Sequence, residues 1–192
     1  MMDFAEAIKV LAEGVKEEIV VTHIGTTAHE WEYHAKGGIS LIGSGAMGMT
    51  TSIALGLALG LPHRKVIAID GDGGLLMNLG SLATIAHQNP PNLLILVFQN
   101  DLYESSGGQP LVNANKVDFA QIAKGAGIRE AHTFDNLDDW KSKVDELLKA
   151  KGPALACLKV GRGEGLPLRK DRDYLAMKIN FREAIARSEK GG

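Results

Sequence analysis

Two short apolar runs, each ending abruptly in polar residues, constrain this chain more than any other feature. Val66 to Ile69 drives straight into Asp70-Gly71-Asp72-Gly73-Gly74, and Leu93 to Phe98 stops at Gln99-Asn100-Asp101. A helical segment separates them. Continuous apolar runs of this length predict strands buried on both faces, as in a parallel sheet. Polar residues at their carboxyl ends then stand where open α/β sheets bind ligands. Asp72 and Asn100 lie 28 positions apart, about one strand-helix-strand unit, so they are predicted to meet in space. A carboxylate beside an amide oxygen, with backbone carbonyls nearby, suits a hard cation such as Mg²⁺. Gly71, Gly73 and Gly74 let the backbone turn tightly and bring N–H groups to an anion at a helix start. The residues alone thus predict a diphosphate clamped between a metal and a helix N-terminus.

The rest of the chain alternates strands and helices. The spacing of Phe4, Ile8, Leu11, Ala12 and Val15 predicts an amphipathic helix within 1–16, followed by a strand from Ile19 to Ile24. That strand breaks at Gly25-Thr26-Thr27, where Thr26 or Thr27 can cap a helix running from Ala28 to His34. Ile39 to Ile42 reads as a short strand leading into Gly43-Ser44-Gly45-Ala46-Met47-Gly48, and Thr50 to Leu59 as a small-residue helix packed closely on its neighbours. Asp101 to Pro110 reads as a loop rich in Ser and Gly. Val117 to Gly125 is a predicted helix with Asp118 in its first turn, Ile128 to Thr133 a strand, and Leu137 to Lys149 a helix opened by Asp135 or Asn136. Pro153 to Val160 closes the sheet. Strand-helix alternation throughout predicts a three-layer α/β sandwich around a mainly parallel sheet, spanning residues 1–163. Gly161 to Gly165 reads as a linker, and residues 164–192, where basic residues outnumber acidic ones, as a tail helix docking on the domain or a partner.

Composition narrows the class of function. The 192 residues make one domain, 45% of them apolar and only 5% aromatic, with 23 glycines. That mixture fits an aliphatic, glycine-punctuated α/β protein. A net charge of −2 without a basic block argues against nucleic acid or an anionic membrane surface as partner. Cys157 is the single cysteine, set in the apolar run Ala154 to Val160, and reads as a small buried hydrophobe. One cysteine excludes an internal disulfide, and the N-terminal residues lack a signal-peptide pattern, so a cytosolic protein is expected. Leu55 to Leu61 is too short to span a bilayer.

The densest polar-aromatic cluster is His29-Glu30-Trp31-Glu32-Tyr33-His34. Its two histidines are five positions apart, about 140° around a helix, so they cannot share a metal. Either the cluster lines a substrate entrance, with His29 and Glu30 as candidate catalytic groups, or it is a polar face beneath a partner.

Gly71-Asp72-Gly73, followed after somewhat under thirty residues by Gln99-Asn100, resembles the motif of the thiamine diphosphate-dependent enzymes. Gln99 stands where those enzymes usually carry a first asparagine. The resemblance implies that Asp72, the Asn100 side chain and the Leu102 carbonyl hold Mg²⁺, with diphosphate oxygens and water completing an octahedron. It also implies that the Gly25-Thr26 pair and the run Tyr103-Glu104-Ser105 touch the cofactor, as do Gly71, Gly73 and Gly74. Family loops similar to Ser44-Gly45-Ala46-Met47-Gly48 contact the aminopyrimidine. Met47 would be the wedge that bends the cofactor, against a bland reading of it as core. The run Asn100-Asp101-Leu102-Tyr103-Glu104-Ser105-Ser106-Gly107-Gly108-Gln109 looks like the version found in sulfopyruvate and phosphonopyruvate decarboxylases.

What the resemblance implies is half an enzyme, a diphosphate-binding β subunit. Members of the family place the cofactor against a second, pyrimidine-binding domain whose glutamate activates the ring. The implied reaction is magnesium-dependent decarboxylation of a 2-oxo acid, with 3-sulfopyruvate the leading substrate and sulfoacetaldehyde and carbon dioxide the products. A pyrimidine-binding α subunit would be the partner in a hetero-oligomer. An acetolactate-synthase-like carboligase half, or a non-catalytic α/β nucleotide-binding module, is the alternative. An iron–sulfur oxidoreductase subunit would need cluster ligands, which a lone Cys157 does not supply.

Overall fold

The computed structural model describes residues 1–43, 45–163, 166 and 173–190. Six strands form one parallel sheet: β1 (Ile19–Thr22), β2 (Ile39–Leu41), β3 (Val66–Gly71), β4 (Leu93–Gln99), β7 (Glu130–Phe134) and β8 (Ala154–Lys159), in the spatial order β2-β1-β3-β4-β8-β7. Two further two-residue strands, β5 (Leu102–Tyr103) and β6 (Gln109–Pro110), pair antiparallel in the loop after β4. That loop was expected to be irregular. Its glycines Gly107 and Gly108 both take positive φ, which folds the segment back into a small hairpin that alternating patterns do not announce.

Helices cover both faces. On one side lie α1 (Phe4–Gly14), α2 (Thr26–His34) and α7 (Leu137–Lys149). The other carries α3 (Thr50–Gly60), α4 (Asp72–Leu76), α5 (Gly80–Gln88), α6 (Phe119–Ala126) and α8 (Tyr174–Lys190). The strands divide their side chains accordingly. Ile67, Ile69, Leu94, Leu96 and Phe98 enter the core beneath α1 and α7, while Val66, Ala68, Leu93, Ile95 and Val97 enter the other. A period of two with both faces apolar is what a doubly covered strand requires.

Local chemistry sets the helix boundaries. Asp3, Asp118 and Asn136 cap α1, α6 and α7, each accepting a backbone N–H three residues on. Asp118 therefore precedes its helix, and Asn136 rather than Asp135 opens α7. Neither Thr26 nor Thr27 is a cap: α2 begins at Thr26 with Gly25 before it, and no side chain bonds the helix start. The helix following β3 is broken into α4 and α5, because the chain leaves helical pairing over residues 77–79.

Residues 164, 165, 167–172, 191 and 192 of the expected linker and tail lie outside the described residues. Residues 161–163 are pinned to the domain: Gly161 N–H donates to the Met2 carbonyl at 2.8 Å, and Gly163 N–H to the Glu104 carboxylate at 3.1 Å. Helix α8 packs beside β2 through Phe181 and Ile185, and Glu189 receives Arg64 at 3.0 Å. Among the described residues no helix is long and apolar enough to cross a membrane.

One buried side chain holds the turn from α3 into β3. Asn92 sits just before β4 and points its amide N–H₂ at the carbonyls of Ala58, Leu61 and Arg64, at 3.0, 3.0 and 2.7 Å. Replacing it strands those carbonyls away from water. Asn92→Leu is expected to lower the urea midpoint by the equivalent of about 1–3 kcal/mol with an unchanged slope. A midpoint equal to the wild type would show that water satisfies them instead.

Candidate functional site

Strand order reverses direction at β1 and β3: the chain goes outward from β1 to β2, then returns to pair β3 on the other side of β1. At such a switch point the carboxyl ends of neighbouring strands leave a crevice. Here it is lined by Phe4, His23, Ile24, Thr26, Thr27, Met47, Gly71, Asp72, Gly73, Gly74, Phe98, Asn100, Leu102, Tyr103, Glu104 and Ser105, and its cavity volume is about 40 Å³.

Asp72 lies at its base, 2% exposed. Parallel pairing of β3 with β4, in the register Gly71 opposite Phe98, delivers it to the end of the neighbouring strand. Its Oδ1 accepts the N–H of Gly73 at 2.7 Å. Its Oδ2 accepts two N–H groups of the β4 terminus, Asn100 at 2.9 Å and Asp101 at 2.6 Å. Asn100 in turn uses its Oδ1 to accept the Leu102 N–H at 3.0 Å. Oδ1 of each side chain engages one hydrogen bond and keeps lone-pair capacity. That oxygen-only donor set has the hardness a Mg²⁺ ion selects. Among the described residues no group of three or more His, Cys, Asp or Glu is placed to hold a metal ion.

Burial burdens the two acids of this turn. Desolvation raises the Asp72 carboxyl to about 6, against the lowering effect of its three backbone donors. Desolvation likewise raises Asp70, wholly buried two residues earlier in β3, to about 7. His23, at the end of β1, is shifted the other way by burial, while its Nδ1 is hydrogen-bonded to the Ile24 carbonyl at 2.8 Å. A carbonyl only accepts, so Nδ1 carries the proton. His23 Nε2 stands 3.9 Å from Asp70 Oδ1, but both groups are driven toward neutrality, so this contact is not an ion pair at neutral pH. Gly74 explains the gap between them. A Cβ there would lie 2.5 Å from Asp70 Oδ1 and 2.6 Å from His23 Nε2, so the bare α-carbon fills the space.

Most of the residues singled out from sequence converge here. Thr26, Met47, Gly71, Asp72, Gly73, Gly74, Asn100, Leu102, Tyr103, Glu104 and Ser105 all line the crevice. Gly25 adopts φ 74°, which turns the end of β1 up against Ser105, 3.2 Å from where its Cβ would be. Gly45 and Ala46 are exposed and lie outside the lining, and Ser44 lies outside the described residues. His29 and Glu30 do not reach the crevice either. Glu30 is buried under α2 with its carboxylate 3.6 Å from His34, an i,i+4 contact along the helix. The expected helix start after Asp72 is only the five-residue α4, so its dipole is small.

His23, Asp70, Phe4 and Phe98 were not anticipated. His23 had a signal, since it occupies the carboxyl end of β1 just as Asp72 follows β3. Phe4 had none, because a residue in the first turn of an amphipathic helix reads as core.

A family model for the thiamine pyrophosphate enzyme C-terminal TPP-binding domain matches residues 23–156, a span running from the end of β1 into β8. The chain belongs to this family of thiamine pyrophosphate enzymes. Among its relatives is the sulfopyruvate decarboxylase subunit beta of Methanocaldococcus jannaschii, 34% identical over 184 residues that cover 95% of this chain and 97% of that one. The subunit of the same name from Methanococcus maripaludis is 42% identical over 147 residues, covering 77% and 78%. Phosphonopyruvate decarboxylase of Streptomyces viridochromogenes is 36% identical over 155 residues; these cover 81% of this chain but only 38% of that longer protein.

The raised acids fix a pH dependence. Between about pH 4 and 7 the unfolded chain releases protons that folded Asp70 still holds, so this group makes stability fall as pH rises. Asp70→Asn removes that contribution while keeping an acceptor for the Gly71 N–H. The variant is expected to gain stability relative to wild type steadily from pH 4 to 7 in urea unfolding. A difference that stays constant over that range would contradict the buried, proton-retaining carboxyl.

Proposed function

We propose that the chain is the diphosphate-binding β subunit of a thiamine diphosphate- and Mg²⁺-dependent 2-oxo acid decarboxylase that converts 3-sulfopyruvate to sulfoacetaldehyde and carbon dioxide. The observation that supports it most is the pairing of Asp72 with Asn100 across β3 and β4, in a chain that aligns along 97% of a relative named as a β subunit of that enzyme. That name also supports a separate α subunit carrying the pyrimidine-binding role.

In this reading Asp72, the Asn100 side chain and the Leu102 carbonyl hold the metal. Gly25, Thr26, Gly71, Gly73, Gly74, Tyr103, Glu104 and Ser105 form the bed for the cofactor. When bound, thiamine diphosphate supplies the electron sink that lets a 2-oxo acid lose carbon dioxide. The chain's own contribution is positioning. Met47 stands in the crevice wall on a loop whose Gly48 carbonyl is held by the Asn78 amide at 2.8 Å, and the reading assigns Met47 the wedge. Phe4 and Phe98, with ring centroids 5.1 Å apart, close the floor against water. Asp72 is costly to ionise in the free chain, so a divalent cation at Oδ1 would offset the penalty that burial imposes.

Calorimetry tests the site. Thiamine diphosphate is expected to bind only with Mg²⁺ present, and Asp72→Ala to weaken that binding at least about a hundredfold, since even outer-shell losses cost about 10- to 100-fold. Metal-independent binding that survives the substitution would remove the metal assignment. The reaction is tested separately by co-expressing the chain with a pyrimidine-binding subunit and assaying aldehyde from a panel of 2-oxo acids. Aldehyde formed from pyruvate in preference to 3-sulfopyruvate would refute the substrate.

A further inference from the structure

A sulfonated 2-oxo acid carries a second negative head, and the crevice wall offers it no cation. Its lining includes two acids, Asp72 and Glu104, and no Lys or Arg among the described residues. A guanidinium does stand at the rim. After β8 the chain passes beside the crevice residues Thr26 and Glu104, and three contacts fix its course. Gly161 N–H donates to the Met2 carbonyl, Gly163 N–H donates to Glu104 Oε1 at 3.1 Å, and a side chain at Gly163 would collide with the Thr26 methyl. Arg162 lies between these anchors. Its Nε is 3.8 Å from Glu104 Oε1, and its Nη2 would be 3.4 Å from a Cβ at Gly108 in the Ser-Ser-Gly-Gly loop.

Glu104 therefore does two things at once. It holds the backbone of the strap and faces the Nε edge of the guanidinium. The Nη edge is left over the glycine loop, making no hydrogen bond among the described residues, and the side chain is 69% exposed. Arg presents its donors as a planar fork that matches two oxygens of a sulfonate, phosphonate or phosphate. The strap fixes the backbone from which that fork projects.

We propose that Arg162 is an oxyanion ligand at the mouth of this crevice, gripping two oxygens of a tetrahedral anion. The decarboxylase reading supplies only the identity of that anion. It is either the distal head of a dianionic 2-oxo acid or the outer phosphate of the cofactor, and the two sources separate by experiment.

Affinities of the full-length chain are measured by calorimetry, with Mg²⁺ present, for wild type, Arg162→Gln and Arg162→Lys. The probes are sulfoacetate against acetate, and thiamine diphosphate against thiamine monophosphate. Arg162→Gln is expected to weaken sulfoacetate or thiamine diphosphate by about 10- to 100-fold, the range for charge-assisted hydrogen bonds, and to leave the matching control unchanged. Arg162→Lys, with charge but no fork, falls between. Loss of sulfoacetate alone identifies the substrate head; loss of thiamine diphosphate alone identifies the outer phosphate. Four affinities equal to wild type overturn the proposal. So do equal losses for probe and control, and so does a wild-type chain that binds neither sulfoacetate nor thiamine diphosphate. None of these readings needs turnover, so a failed decarboxylase assay leaves the test of Arg162 standing.

Discussion

One carboxylate joins the two halves of this site. Asp72 leaves β3 and reaches across to the end of β4, where its Oδ2 takes the N–H groups of Asn100 and Asp101. Those two donors lie just past the end of β4, where no further strand pairing satisfies them. Pairing them to a charged acceptor is stronger than pairing them to a neutral one. The cost appears as the raised pKa of Asp72, because the carboxylate has been taken from water to serve as a clasp. Asn100 is held in its place at the crevice by that clasp, and Leu102 by Asn100 in turn. The geometry of the donor set is thus built one hydrogen bond at a time from a single buried acid.

The clasp works only because β3 and β4 are adjacent and parallel, and that is a property of the whole sheet. Both strands are apolar on both faces, so neither is stable until helices cover each side. The first helix contributes Phe4 to the floor of the crevice, and its packing on α7 is close. Gly14, the last residue of α1, marks this approach: a Cβ there would fall 2.6 Å from Leu148. Trp140 of α7 donates its indole N–H to the Ala7 carbonyl at 3.0 Å, locking the same pair of helices.

Much of this was legible in the sequence, for identifiable reasons. All six strands of the sheet were located to within two residues: β1, β3, β4 and β8 because burial on both faces leaves a continuous apolar signal, the half-buried β2 and the mostly exposed β7 from their place in the strand-helix alternation. The meeting of Asp72 with Asn100 followed from one crossover unit. What escaped was chemistry set by contact rather than by pattern. The hairpin at 102–110 depends on positive φ at two glycines, and the seat of Glu30 beside His34 depends on which face α2 turns inward. Arg162 was invisible for a similar reason. Only the fold brings the stretch after β8 to the glycine loop fifty residues earlier.

Gln99 shows how a departure from a familiar motif can be absorbed. It stands where related enzymes usually carry the first of two asparagines, at the last position of β4, and is 3% exposed. Alternation along the strand sends its side chain away from the crevice and into the side facing β8 and α6. There its Oε1 accepts the Cys157 thiol at 3.2 Å, and its N–H₂ group reaches Asp101 Oδ1 at 3.0 Å and the Val117 carbonyl at 3.3 Å. Burial drives the Cys157 thiol up to about 12, so it stays protonated and able to donate. The Gln99 amide thus engages three partners at once. The substitution therefore braces Asp101, whose N–H is one of the two that Asp72 holds, from the side opposite the crevice. Asn100 stays at the crevice, its N–H on Asp72 and its Oδ1 on the Leu102 N–H.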